Sequence, residues 1–143
     1  MLTLLLAPLA LERGGGAAAV SAAIYEGAGL ICHQRPERSF HLAGVPMPVC
    51  ARCSGLYFSG AAGALLAWSR RRNKVTRPRS SRLVLLAAAL PTALSVAGEL
   101  AGVIPSSNSS RMIAALPLGA AAGWIFVRSL RSEAEPERPA VAL

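Results

Sequence analysis

The residues that could carry out chemistry lie close together in the first half of this 143-residue chain. All three cysteines and both histidines fall within one short stretch: Cys32, His33, His41, Cys50 and Cys53. Pro48 favours the start of a helix just before the C-x-x-C pair, which puts Cys50 and Cys53 on one helical turn. Eighteen positions separate Cys32 from Cys50, enough for a loop that returns the chain to the same place. We therefore expect the three thiols to converge.

Two chemistries use a C-x-x-C pair at the start of a helix. In the first, two thiolates take two corners of a tetrahedral metal site, and a distant cysteine and histidine supply the others. The ligands would then be Cys32, His33, Cys50 and Cys53, with His41 as an alternative to His33 because neighbouring residues seldom bind one ion. Zinc is the metal we expect first, and thiolate softness also admits Cu(I) or iron.

The second chemistry is that of an envelope thiol–disulfide oxidoreductase. Cys50 or Cys53 would attack a disulfide and Cys32 would resolve the intermediate. A third reading is a structural or interaction subunit whose cysteines form a disulfide, which an oxidising compartment favours. The spacing does not choose among these readings, so zinc binding is the leading hypothesis and enzymatic activity stays open.

The composition indicates where these residues reside. The chain is 53% hydrophobic and only 15% charged, with a mean hydropathy of +0.45, whereas soluble domains carry about 25% charged residues. We therefore expect a lipid bilayer as the principal partner. The net charge of +8 does not indicate nucleic-acid binding, because the basic residues separate apolar segments and aromatics make up 5%. All seven acids are glutamate, which excludes aspartate-based sites such as EF-hand loops.

The apolar stretches predict an all-α integral membrane bundle of about four short transmembrane helices. The spans would cover residues 17–32, 49–69, 83–104 and 112–130 of a single domain (1–143), with a disordered cytoplasmic tail at 132–143. Seven basic residues and no acid lie between positions 70 and 82, which places that loop in the cytoplasm. Both termini would then be cytoplasmic, and the Cys/His site would lie on the outer side of the cytoplasmic membrane. Neither a protein partner nor the oligomeric state follows, although a homo-oligomer is compatible with the chain.

Small residues recur at four-residue spacing in every predicted span, which is typical of close helix packing in membranes. The four sets are Ala19, Ala23 and Gly27; Gly55, Ser59, Gly63 and Ala67; Ala89, Ala93, Ala97 and Ala101; and Gly119 and Gly123.

Two carboxylates fall within apolar spans, where a charge is costly and suggests function. Glu26 and Glu99 each lie six positions before an outer boundary, at a shared depth of about 9 Å. Each either pairs with an outer arginine such as Arg111 or Arg38, or lies beneath the cysteines as a proton relay or hydrogen-bonding support. The residues that we expect to support the site are Glu26, Glu99, Arg38, Arg52, Asn108 and Arg111.

Several of these residues together resemble a known signature. They are Cys32-His33-Gln34, Pro36, Arg38-Ser39-Phe40, Pro48 to Tyr57 and Gly60, followed by Asn108 and Arg111 in an S-N-x-x-R element. The pattern, over residues 25–123, is similar to DUF2085, a family of small bacterial predicted membrane proteins. The resemblance implies membrane residence and one functional unit, and no particular activity. Family members tend to carry an aspartate in the third span, where this chain has only Glu99.

Overall fold

The computed structural model describes residues 2–13, 15–70, 78–104 and 107–133, and these residues are mainly helical. The elements are α1 (Leu2–Arg13), α2 (Gly15–Gly29), a 3-10 turn (Pro36–Arg38), β1 (His41–Leu42), β2 (Val45–Pro46), α3 (Ala51–Ser69), α4 (Pro78–Leu100) and α5 (Asn108–Glu133). Most of the predicted basic loop and of the predicted tail lies outside the described residues. The described part of the tail, Ser132 and Glu133, is the end of α5.

A two-stranded hairpin interrupts the predicted all-α fold. In it β1 and β2 pair antiparallel, with His41 opposite Pro46 and Leu42 opposite Val45. Ala43 and Gly44 form the turn with φ of 52° and 81°, and two consecutive positive φ values are what a two-residue type I′ turn requires. The sequence prediction missed this hairpin because the strands are short and the turn lacks an Asn-Gly or Asp-Gly pair.

Two of the described helices are long and apolar enough to cross a membrane, namely residues 80–100 of α4 and 108–132 of α5. They correspond to the third and fourth predicted spans. The prediction of four spans is not confirmed. The 15 residues of α2 reach about 22 Å, short of the roughly 30 Å of a hydrocarbon core. Arg52 in the first turn of α3 likewise shortens the apolar part of that helix.

The first helix, α1, lies outside the predicted spans and packs against α2. Ser21 in α2 donates a hydrogen bond of 2.6 Å to the carbonyl oxygen of Ala7, and both residues are buried. Leu4 packs against the small core formed by Ala28, Cys32 and Val49. The amino end of α1 therefore lies at the cysteine end of the molecule, so the expectation that it lies on the opposite side from the cysteines is not supported.

α3 packs against α5 through small residues, and at several glycines backbone lies against backbone. Gly55, Ser59, Gly63 and Ala67 are buried along α3, as that small-residue pattern predicted. A Cβ atom on Gly63 would overlap the backbone carbonyl of Ala120, and one on Gly123 would overlap that of Gly60. These two small-residue sets are therefore confirmed as a helix interface.

The small-residue sets of the first and third predicted spans are mostly exposed. Ala19, Ala23 and Gly27 are exposed on α2, and Ala93 and Ala97 are exposed on α4. Thr92 makes the polar contact of α4 with α5, donating a hydrogen bond of 2.8 Å to the carbonyl oxygen of Ala114. The leucines of α4 are largely exposed, among them Leu83, Leu86, Leu90 and Leu94. Such a continuous apolar surface suits lipid rather than water.

Candidate metal centre and arginine pocket

The structure brings the three cysteines together. Cys32 follows α2, Cys50 directly precedes α3, and Cys53 lies in its first turn. Their sulfur atoms all lie within 4.8 Å of one another. The predicted convergence therefore occurs, and it depends on the return of the chain through the hairpin.

Neither histidine belongs to the cluster that the three cysteines form. His33 is exposed and lines the pocket beside the cysteines, while His41 is exposed in β1. Of the two predicted fourth ligands, His33 is thus the one near the thiols.

Gln34 holds the two chain segments that carry the cysteines. Its backbone adopts a left-handed conformation with φ of 47°, which is uncommon for a residue with a side chain. The side-chain amide donates hydrogen bonds to the carbonyl oxygens of Tyr25 in α2 and of Pro48 before α3, the latter at 3.0 Å. Tyr25 in turn donates to the carbonyl oxygen of Pro46 at 2.6 Å. Sequence analysis missed Gln34 and Tyr25 as positioning residues, although Gln34 belongs to the family signature.

The surroundings of the Cys50 thiol favour its negatively charged form. The backbone N–H of Cys50 donates to the sulfur of Cys32 at 3.2 Å. A hydrogen bond from the Cys53 thiol is the main cause that lowers the pKa of the Cys50 thiol to about 5, against the raising effect of burial. Cys32 is buried and the other two are half-buried. Thiolates are the form that binds metals.

The sulfur positions fit a tetrahedral ion. Zinc–sulfur bonds of about 2.3 Å place two ligand sulfurs about 3.8 Å apart. Sulfurs already within 4.8 Å of one another could close on a single ion with small side-chain adjustments. Three soft donors on two separate segments can therefore hold zinc, and the fourth position remains for a ligand from the pocket.

Glu99 connects three helices through arginines. Arg52 of α3 and Arg111 of α5 both donate to its carboxylate, the latter from Nε at 3.2 Å. Arg52 also donates to Ser95 Oγ at 3.2 Å. The three charged side chains are 11–17% exposed, so removing Glu99 would leave two largely buried arginines without their counter-charge. Of the alternatives raised for Glu99, the structure shows pairing with Arg111, and it adds Arg52.

Asn108 links this ion-pair cluster to the loop before α3. It accepts a hydrogen bond of 3.0 Å from Arg111 and donates one of 2.9 Å to the carbonyl oxygen of Ser39, which is fully buried. Glu26, by contrast, is exposed on α2 and makes no hydrogen bond or ion pair with the residues that the structure describes. The depth it shares with Glu99 in the sequence does not bring it to the site.

A pocket of about 610 Å³ lies between the cysteines and the arginines. Its walls include the three cysteines, His33 and four arginines, namely Arg35, Arg38, Arg52 and Arg111. No carboxylate, Glu99 included, is among the described residues that line it. The pocket thus combines soft sulfur ligands with a positively charged wall.

A second group of arginines lies at the opposite end of α3 and α5. Arg131 donates to the carbonyl oxygen of Ala67 at 3.2 Å and lies 4.4 Å from the centre of the Trp68 ring. Arg70 and Arg128 flank the ring of Trp124 at 5.5 and 5.8 Å. Tryptophan and arginine together are typical of a membrane–water interface.

Comparison with known proteins agrees with the resemblance. A family model described as "Predicted membrane protein (DUF2085)" matches residues 32–125. An uncharacterized protein of Methanocaldococcus jannaschii is 34% identical over 95 residues, which cover 66% of this chain and 60% of that relative. An uncharacterized protein of Methanothermobacter thermautotrophicus is 34% identical over 89 residues, which cover 62% of this chain and 78% of that relative. No solved structure matches. Both relatives are archaeal, so the expectation of a bacterial family is not supported.

Proposed function

Because the chain belongs to the DUF2085 family of predicted membrane proteins, we propose that it is an integral membrane protein that binds a zinc ion through Cys32, Cys50 and Cys53. The observation that carries this proposal is the approach of the three sulfur atoms to within 4.8 Å. The ion would join the segment after α2 to the start of α3. Its fourth position would face the pocket, where His33 is the nearest protein candidate. Cu(I) or iron would suit the same thiolates.

The proposed orientation places the cysteine site on the outer face of the cytoplasmic membrane. Arg70 ends α3 on the side opposite the cysteines, and it begins the run of seven basic residues at positions 70–82. Basic loops stay in the cytoplasm, so α4 would return outward and α5 would end inside. We expect a green fluorescent protein fused after α5 to fluoresce in cells and an alkaline phosphatase fused there to be inactive. An active phosphatase fusion would reverse the orientation.

Elemental analysis tests the metal proposal. The protein is purified in detergent without a histidine tag and without added metal or chelator, and its metals are measured by mass spectrometry. We expect close to one zinc per chain, together with thiols that react with Ellman's reagent only after chelation. A metal-free protein with freely reactive thiols would contradict the proposal.

The same closeness of the sulfur atoms supports a second candidate function, thiol–disulfide exchange with a partner protein. The Cys50 thiolate would attack the partner's disulfide, and Cys32 would then displace the partner as its dithiol, leaving a Cys32–Cys50 disulfide. The partner is reduced and this chain oxidised by the same two electrons. Thiols that appear only after reductant, in a protein without metal, would favour this candidate or a purely structural disulfide.

A further inference from the structure

We propose that the pocket beside the cysteines is a binding site for a phosphate group, held by Arg38, Arg52 and Arg111. The site adjoins the sulfur cluster but uses the arginine wall of the pocket rather than the sulfur atoms. Three features support it: the positive charge of the pocket, arginine donors without acceptors among the described residues, and the position of the pocket at the end of α4.

The arginines make the pocket positively charged both when the thiols are neutral and when they hold a divalent ion. Glu99 compensates one of the two charges of Arg52 and Arg111, and Glu37 lies 3.9 Å from Arg35. The Arg38 side chain makes no hydrogen bond or ion pair within the described part of the chain. Two positive charges therefore remain when the thiols are neutral, and one remains when three thiolates hold a divalent ion. Either state attracts an anion.

Donor geometry favours an oxyanion over a halide. A guanidinium presents several N–H groups in a plane that matches phosphate oxygens. The Nε of Arg52 is buried and has no hydrogen-bond acceptor among the described residues. The whole side chain is only 17% exposed. Leaving a buried donor unpaired is costly, and an oxyanion in the pocket that Arg52 lines would supply an acceptor. Arg38 adds a second set of donors to the same space.

Size and position indicate two sources for such a phosphate group. A volume of about 610 Å³ holds inorganic phosphate with room for a substituent. Leu100 and Ile31 line the pocket and are exposed. Leu100 is also the last residue of the candidate span in α4. A phosphate attached to an apolar tail could therefore enter from the membrane surface, while free phosphate would enter from water.

Binding measurements on purified protein test the proposal. Equilibrium dialysis with radiolabelled inorganic phosphate probes the free ion, and native mass spectrometry after incubation with phosphatidic acid or phosphatidylcholine probes the lipid headgroup. Binding of inorganic phosphate would identify a soluble source, and selective retention of phosphatidic acid would identify a lipid. Either result supports the proposal.

The matched variants are Arg38→Gln and Arg35→Gln. Both remove one pocket arginine, but the Arg38 side chain has no partner among the described residues, whereas Arg35 faces Glu37 on the surface. We expect Arg38→Gln to weaken phosphate binding by about tenfold or more, because it loses a charge-assisted hydrogen bond as well as a charge, and Arg35→Gln to weaken it clearly less, because it loses only the charge. Because Arg38 supports no other residue, the variant should keep the wild-type metal content and elution volume.

Two results would overturn the proposal. One is a wild-type protein that binds neither inorganic phosphate at about 10 mM nor phosphatidic acid in preference to phosphatidylcholine. The other is an Arg38→Gln variant, folded by the same criteria, with unchanged affinity. The metal content of the same samples keeps the two proposals separate, because phosphate binding by metal-free protein would contradict only the zinc proposal.

Discussion

A Cys53→Ser variant is expected to lose bound zinc, from about one ion per chain to less than about a tenth of that. Serine differs from cysteine in little more than the donor atom, so the first turn of α3 should form as before. A neutral hydroxyl is a poor ligand for zinc, and two thiolates do not complete the site. If the ion stabilises the fold, the variant should also unfold at lower temperature, because a ligand at a thousand times its Kd contributes about 4 kcal/mol. Mass spectrometry and thermal unfolding measure the two effects.

The matched control is Ser54→Ala, one residue further along α3. Ser54 is buried and its hydroxyl has no hydrogen-bond partner among the described residues. Its removal should therefore leave the metal content unchanged and the thermal stability equal or slightly higher. If Cys53→Ser retains stoichiometric metal while Ser54→Ala behaves as expected, Cys53 is not a ligand and the three-thiolate site is wrong.

The second large effect is expected at the interface of α3 and α5. A Gly123→Val variant should be destabilised by about 3 kcal/mol, or should fail to pack these helices, because its Cβ would overlap the carbonyl oxygen of Gly60. A backbone atom cannot rotate away as a side chain can, so the two helices must separate. Thermal unfolding in detergent, followed by circular dichroism, measures the change.

Gly27→Val provides the comparison within another helix. The space around Gly27 on α2 is open, with no atom within 4 Å of an added Cβ. The same substitution should therefore change the stability by well under 1 kcal/mol, since it alters only helix propensity. Equal stabilities of the Gly123 and Gly27 variants would show that the close contact of α3 and α5 does not exist in the folded protein.

The sequence predicted the parts of the site that depend on spacing alone. Convergence of Cys32 with Cys50 and Cys53 follows from a proline-led helix start and an intervening loop of sufficient length. The glycine pattern on α3 and α5 was readable because close backbone contact demands small residues at regular spacing. The sets on α2 and α4 are mostly exposed among the described residues, because alanine-rich helices produce the same spacing on surfaces that do not form a helix interface.

Other parts could not be read from the sequence. Arg52 and Glu99 are 47 positions apart, and nothing local to either residue specifies its partner. Glu26, like Glu99, is a carboxylate within an apolar stretch, yet it faces outward. The rotation of α2 about its axis decides which of its sides meets the protein, and the sequence does not specify that rotation. The role of Gln34 depends on two carbonyl oxygens that the loop brings together only after it has folded.

The glycine contact between α3 and α5 also has a mechanical consequence. Helices that meet through side chains can slide by changing rotamers, whereas helices that meet backbone to backbone have no such freedom. We therefore expect α3 and α5 to move as one rigid unit, with Arg52 and Arg111 held at a constant separation at one end of it. Cys32 lies on a separate segment. When a ligand enters the site, we therefore expect that segment and α4 to move, while α3 and α5 keep their relative positions.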